Sequence, residues 1–310
     1  MGPDAVPRLL ILRTLLRASS LLPLPVAHAL GAAIGTVAAR IPGRQRRIAA
    51  VNIALCFPDA TPHWRGRLLR ASYRELGKQL LESGIIWHAS ERRLRRLVRN
   101  PEALETLASR WPADRGLLLA GPHLGNWELV SLYVNRRFRV HNLYRPPRDP
   151  ALEPLLRGFR ERSGARSLPA TAAGIRQLYR ALRAGALVGI LPDQTPRESG
   201  VFAPFFGTPA RTMGLLPQMA RKTGAPVLFT FMERLPLGRG FRLRVLEAPP
   251  GLDDPDPVVA ATALNAGVEA CVREAPAQYQ WTYRRFRPPP PGTPNPYRTE
   301  GDASGARRPG

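Results

Sequence analysis

Hydrophobic positions in the first hundred residues recur at helical spacing. Between Arg17 and Arg40 a 22-residue stretch holds no Lys, Arg, Asp or Glu, which is about the length a bilayer-spanning helix needs. Pro23, Pro25 and His28 interrupt it. Arginines flank both ends, Arg13 and Arg17 before it and Arg40, Arg44, Arg46 and Arg47 after it. A spanning helix carries a basic asymmetry between its ends. The stretch therefore reads best as an interfacial anchor, with apolar side chains in the acyl region and arginines on lipid phosphates. A spanning helix and an ordinary buried helix are the alternatives. No small-residue cleavage site ends the apolar run, so a cleaved signal peptide is not expected. Further on, Thr61-Pro62 is a helix start, with proline at the first helical position. Leu68, Leu69, Tyr73, Leu76, Leu80 and Ile85 then mark an apolar face, and Arg67, Arg70, Arg74 and Lys78 lie opposite.

After Trp111 the texture changes to short apolar runs alternating with helical segments. Strands are expected over 116–121, 139–144, 186–191, 227–232 and 241–246. Helices are expected over 125–135, 151–163, 171–184, 213–222 and 257–274. That alternation predicts an α/β fold with a mostly parallel sheet flanked by helices, preceded by the N-terminal helical membrane-anchoring segment. The chain divides into that segment (1–42), a main α/β domain (43–297) and a tail (298–310) whose Pro, Gly and charge content predicts disorder. No internal repeat is present.

Composition changes this picture in two ways. The chain has 310 residues, 46 of them basic and 23 acidic, for a net charge of +23. Only Lys78 and Lys222 are lysines. Residues 40–100 hold fourteen basic and four acidic side chains. Such a balance calls for an anionic partner: nucleic acid, an anionic membrane surface, or an acidic carrier or substrate. No nucleic-acid-binding motif accompanies it and aromatics make up only 7%, so a basic nucleic-acid binder is the weaker class. The two cysteines, Cys56 and Cys271, exclude a disulfide framework and a four-cysteine zinc site, and both read as buried fillers in a reducing compartment.

Candidate chemistry gathers in Gly121-Pro-His-Leu-Gly-Asn-Trp-Glu128, between an expected strand and an expected helix. Ligand sites of α/β sheets form at such strand ends. On one continuous helix His123 and Glu128 would point about 140° apart. They meet only if His123 lies in the turn before the helix, which Gly121, Pro122 and Gly125 permit. Glu128 then accepts a hydrogen bond from one imidazole nitrogen and raises the basicity of the other. No serine or cysteine accompanies the pair, so it suits deprotonation of a substrate hydroxyl that attacks an activated acyl group. On spacing alone, a packed core histidine is the default reading. The other histidines, His28, His63, His88 and His141, lack metal-ligand spacing.

The block as a whole resembles the late acyltransferases of lipid A biosynthesis, the lauroyl and myristoyl transferases of Gram-negative bacteria, within the glycerolipid acyltransferase-like superfamily that shares a His-x4-Asp/Glu motif. Four further blocks follow in the family's order: Leu143-Tyr-Arg-Pro146 with Arg160-Glu-Arg-Ser-Gly164, Leu191-Pro-Asp-Gln194, Gly200-Val-Phe-Ala-Pro-Phe-Phe-Gly207, and Gln278-Tyr-Gln-Trp281 with Arg284-Arg-Phe286. Tyr283 stands where the family often has His.

The resemblance implies an O-acyltransferase with His123 as general base and Glu128 as its orienting partner, working without a covalent enzyme intermediate. Gly125, Asn126 and Trp127 support the motif. Arg145, Arg160 and Arg162 bind substrate phosphate or support Glu128, the alternative being structural ion pairs. Asp193 and Gln194 are substrate-site residues, Asp193 anchoring those arginines or ordering its loop. Phe202, Phe205 and Phe206 read as core. No metal or organic cofactor is implied, because the acyl donor is already activated. The implied partners are acyl carrier protein as donor, an anionic glycolipid acceptor (a lipid A precursor, or else another membrane glycolipid or aminolipid) and the membrane surface, with no nucleic acid. The implied location is the bacterial inner membrane, catalytic domain on the cytoplasmic face.

Overall fold

A computed structural model describes residues 5–147, 149–196 and 200–298, with side chains from residue 9. The tail expected to be disordered lies, from residue 299 onward, outside the described residues. Six helices come first: α1 (Ala5–Ser20), α2 (Leu24–Ala38), α3 (Arg44–Cys56), α4 (Pro62–His88), α5 (Glu91–Leu97) and α6 (Ala103–Ser109). Then come β1 (Leu117–Ala120), α7 (Trp127–Val134), β2 (Val140–Tyr144), α8 (Glu153–Glu161), β3 (Arg166–Pro169), α9 (Ala172–Arg183) and β4 (Leu187–Ile190). A hairpin of β5 (Val201–Phe205) and β6 (Thr208–Thr212) interrupts the alternation. The chain then continues through α10 (Leu215–Thr223), β7 (Val227–Arg234), β8 (Phe241–Glu247) and α11 (Pro257–Glu274).

The main sheet has six strands in the order β3-β2-β4-β1-β7-β8. All pairs are parallel except β7–β8. Central strands β1 and β4 are short apolar runs buried on both faces, as a parallel sheet between helical layers demands. One core cluster gathers residues of α3, α9, α10 and α11 and the other residues of α6 and α7, with α4 contributing Leu68, Leu69 and Tyr73 to the first and Ile85 and Ile86 to the second. Cys56 and Cys271 sit in the first cluster, and burial pushes both thiols well above their ordinary range.

The 22-residue apolar stretch does not form one helix. It bends at Leu21–Pro23, between α1 and α2. Among the described residues no helix is long and apolar enough to cross a membrane. Both helices instead pack on α4. Backbone touches backbone where they cross: a Cβ on Gly31 would sit 2.6 Å from the Gly77 carbonyl oxygen, and one on Gly35 2.0 Å from that of Tyr73. Helix α4 starts as expected, with Thr61 accepting a hydrogen bond from the Trp64 amide. Its apolar face is only partly buried, however. Leu76 and Leu80, on the expected apolar face, are 40% and 64% exposed. They join Leu10, Ile11, Leu15, Leu30, Ile34 and Val37 among the exposed apolar side chains of α1, α2 and α4.

The chain's far end closes on α3. The buried Tyr297 hydroxyl donates to Asn52 Oδ1 at 2.5 Å and accepts from the Phe286 amide. The Asn52 amide donates in turn to the carbonyls of Trp281 and Tyr283, each at 2.6 Å.

Candidate active site

Strands β1 and β4 pair in parallel with Ala120 opposite Ile190, so the turns leaving their carboxyl ends lie side by side. One carries His123 and the other Asp193. The imidazole Nδ1 lies 2.7 Å from Asp193 Oδ1, and the His123 amide donates to Asp193 Oδ2 at 2.9 Å. Asp193 is 3% exposed. Burial alone would raise its carboxyl, but the imidazole and the two hydrogen bonds override that and hold it below the ordinary carboxylate range. A carboxylate so placed fixes the tautomer with the proton on Nδ1 and leaves Nε2 basic. At Nε2, the Gln194 side-chain nitrogen approaches to 3.2 Å and also donates to Gln280 Oε1 at 3.2 Å.

This corrects the expected pairing of the motif. Glu128 lies in the first turn of α7, with His123 in the preceding turn as required, but its carboxylate is taken by Arg160 of α8. Arg160 Nε donates to Glu128 Oε2 at 2.9 Å, and a second guanidinium nitrogen donates to Oε1 at 2.5 Å. Asp193, rather than Glu128, orients the imidazole. Among the described residues Asp193 makes no ion pair with Arg145, Arg160 or Arg162. Arg160 also lies over the Tyr144 ring, 5.1 Å from its centroid.

The turn itself is built from the motif's small and polar residues. Gly125 has φ +60°, and a Cβ there would meet the Met232 carbonyl oxygen at 2.0 Å, so only glycine fits. Asn126 caps α7, its Oδ1 accepting from the Leu129 amide at 3.0 Å. The Trp127 ring sits edge-on to the His123 imidazole at 5.1 Å. From the other side, the Gln280 amide donates to the His123 carbonyl and the Gly125 amide donates to the Gln278 carbonyl.

Beside this turn opens a cavity of about 630 Å³, within the usual range for ligand pockets of roughly 300–1,000 Å³. His123, Glu128, Arg145, Arg160, Gln194 and Tyr283 line it. Its apolar wall is made by Leu119, Val130, Val134 and Leu187, between α7 and the sheet. Arg145 is exposed at the end of β2 and, among the described residues, has no ion-pair partner. Arg162 is not at the site. Its guanidinium donates to the Ile86 and Ala89 carbonyls at the end of α4, each at 2.8 Å, which satisfies orphan acceptors of that helix terminus. Phe205 and Phe206 are buried core residues, and neither they nor Phe202 line the cavity.

Sequence reasoning missed Gln280, Tyr283 and the role of Asp193. Tyr283 accepts a hydrogen bond from the Thr195 amide through its hydroxyl and so holds the loop that bears Gln194. A usable signal was present for Asp193: an Asp just after a buried strand, in a fold whose sites form at strand ends.

Fold and site together define a histidine–carboxylate centre at the strand ends of an α/β sheet, opening on a largely apolar pocket. A family model described as bacterial lipid A biosynthesis acyltransferase matches residues 9–288. The chain is 32% identical over 282 residues to the lipid A biosynthesis lauroyltransferase of Escherichia coli (strain K12), covering 89% of this chain and 90% of that protein. It is 31% identical to the lipid A biosynthesis palmitoleoyltransferase of the same organism, over 87% of this chain and 88% of that one. To the myristoyltransferase it is 24% identical, over 86% and 83%. The chain belongs to the bacterial lipid A biosynthesis acyltransferase family and is an O-acyltransferase.

Proposed function

We propose that the protein transfers a fatty acyl group from the thioester of acyl carrier protein to a hydroxyl of a lipid A precursor, with His123 as general base. One observation carries this reading: an imidazole held through Nδ1 by a buried carboxylate, with the ring lining a partly apolar pocket of about 630 Å³. Nε2 takes the proton of the acceptor hydroxyl, and the oxygen attacks the thioester carbonyl. The tetrahedral intermediate collapses, the carbon–sulfur bond breaks, and the departing thiolate takes the proton from the imidazolium. Asp193 stabilises that imidazolium through its hydrogen bond. Glu128 is neutralised by Arg160, and the pair fixes the end of α8 against the first turn of α7 beside the cavity. Arg145 suits an acceptor phosphate at the pocket mouth. Another membrane glycolipid or aminolipid is the alternative acceptor.

The exposed apolar side chains of α1, α2 and α4, together with flanking arginines such as Arg13 and Arg40, suit interfacial docking on an anionic leaflet. We place the catalytic face on the cytoplasmic side of the inner membrane. Flotation with anionic vesicles tests the docking: the protein should float with them and do so less at high salt, and failure to float rejects the reading. For the chemistry, purified protein is incubated with acyl carrier protein thioesters and a tetra-acylated lipid A precursor, and the product is weighed. His123→Ala should give no product while remaining folded. Full activity in that variant removes the mechanism.

A further inference from the structure

Behind the catalytic turn, away from the cavity, lies a fully buried charge cluster that the reaction does not use. Glu82 of α4 has no exposed surface. Its Oε2 accepts from Arg234 of β7 and from the Asn126 side-chain amide, at 2.9 and 2.8 Å. Its Oε1 accepts a second Arg234 hydrogen bond and lies 2.6 Å from His28 Nε2 of α2. Arg234 reaches Glu75 as well, at 2.9 Å. Burial alone would raise the Glu82 carboxyl, but the adjoining guanidinium and imidazole hold it at about 2.

A buried ion pair is weak evidence of stability, since apolar residues of the same volume often serve as well or better. Its position gives it another use. Asn126 faces two ways: Oδ1 caps the helix that starts at Trp127, and Nδ2 rests on Glu82. The Asn126 amide donates to the Met232 carbonyl at 2.9 Å. Two residues on, the Arg234 amide donates to Gln278 Oε1 and the Arg234 carbonyl accepts from Gln278 Nε2. Gln278 in turn holds the Gly125 amide through its carbonyl. Two backbone struts of the turn, those at Gly125 and Asn126, thus end on elements that Glu82 or Arg234 fixes, while His123 itself is held by Asp193 and the Gln280 amide.

We propose that Glu82, with Arg234, is a positioning residue: it fixes Asn126 and thereby the angle at which the turn presents His123. This rests on His123 being the base. A misplacement of about 1 Å can cost about a hundredfold in rate, so the role shows in kcat before it shows in folding. Asn126→Ser keeps a capping oxygen but loses the amide that rests on Glu82. In the acyl-carrier assay its kcat should fall about tenfold or more, with KM for both substrates within about twofold. Independently of any substrate, amide hydrogen exchange over residues 123–126 should quicken about tenfold while α9 keeps its wild-type protection. Asn126→Asp sets a carboxylate against Glu82 and should be worse. Adding Glu82→Gln to it exchanges donor and acceptor and should recover kcat several-fold over Asn126→Asp alone. Wild-type kcat and wild-type exchange in Asn126→Ser would overturn the proposal, as would an activity loss that merely tracks the folded fraction in all three variants. If His123→Ala is fully active, the acyl-transfer mechanism fails first, and the exchange experiment still decides whether Glu82 fixes the turn.

Discussion

His123 meets a carboxylate at one ring nitrogen and an amide at the other, and the two contacts have different duties. Asp193 sets the tautomer, and in the proposed mechanism it balances the proton gained during the reaction. Gln194, its amide oriented by Gln280, occupies the place at Nε2 that the proposed mechanism gives to the acceptor hydroxyl. Asp193→Asn keeps the shape and removes the charge. We expect kcat to fall by about a hundredfold or more with KM little changed, measured in the same product assay. A loss under about threefold would mean that the imidazole is oriented otherwise. The motif pointed to the histidine but not to its partner. His123 and Glu128 are five apart in the chain, while Asp193 is seventy away, and only the β1–β4 register brings it close. Nothing in a linear pattern says which strands are neighbours. Arg162 shows the converse: it shares a block with Arg160, yet a helix places two residues that far apart on different faces, and Arg162 turns to the end of α4.

At the scale of elements, the pattern located what depends on local periodicity. Helix α11 spans 257–274 as expected, and β2, β4, β7 and β8 lie within a residue or two of their expected bounds. Strand β3 and the β5–β6 hairpin were not expected. Strand β3 is a four-residue edge strand, Arg166–Pro169, with no apolar alternation to betray it. The hairpin turns at Phe206 and Gly207, both with positive φ. Such a two-residue turn favours Asn-Gly or Gly at its first position, so Phe there hides the signal. The crossing of α2 on α4 depends on glycines that no hydrophobic count registers. Gly35→Leu should therefore separate the helices and lower the melting temperature by at least about 5 °C, a clash of the size that costs roughly 1–3 kcal/mol or more. An unchanged melting curve would show that the crossing is loose.

For the whole molecule, charge has two scales of effect. The +23 net charge acts outward, on anionic groups in solution and on salt. Inside, a few ionised groups make folding depend on pH. Glu82 is held at about 2, and Asp193 also lies below its ordinary range. A carboxylate lowered on folding stabilises the native state above its unfolded pKa, and that contribution is lost as pH falls through the folded value. Glu269, raised by burial, works in the opposite direction. With two lowered groups buried deeper than the raised one, the melting temperature should hold above about pH 5 and drop between about pH 5 and pH 2. Calorimetry across that range checks it, and a melting temperature that stays level to about pH 3 would show that these carboxylates are not held as described.

The contact between Tyr297 and Asn52 has a consequence in time. Asn52, near the start of the chain, grips the segment that carries Gln280 and Tyr283, and Tyr297 completes that grip. A ribosome has made His123, Glu128 and Asp193 long before it reaches residue 297. Until that last tyrosine leaves the exit tunnel and docks, the wall of the site opposite His123 lacks its final brace. The site is thus fully braced only once residue 297 has been made, about a hundred residues after Asp193.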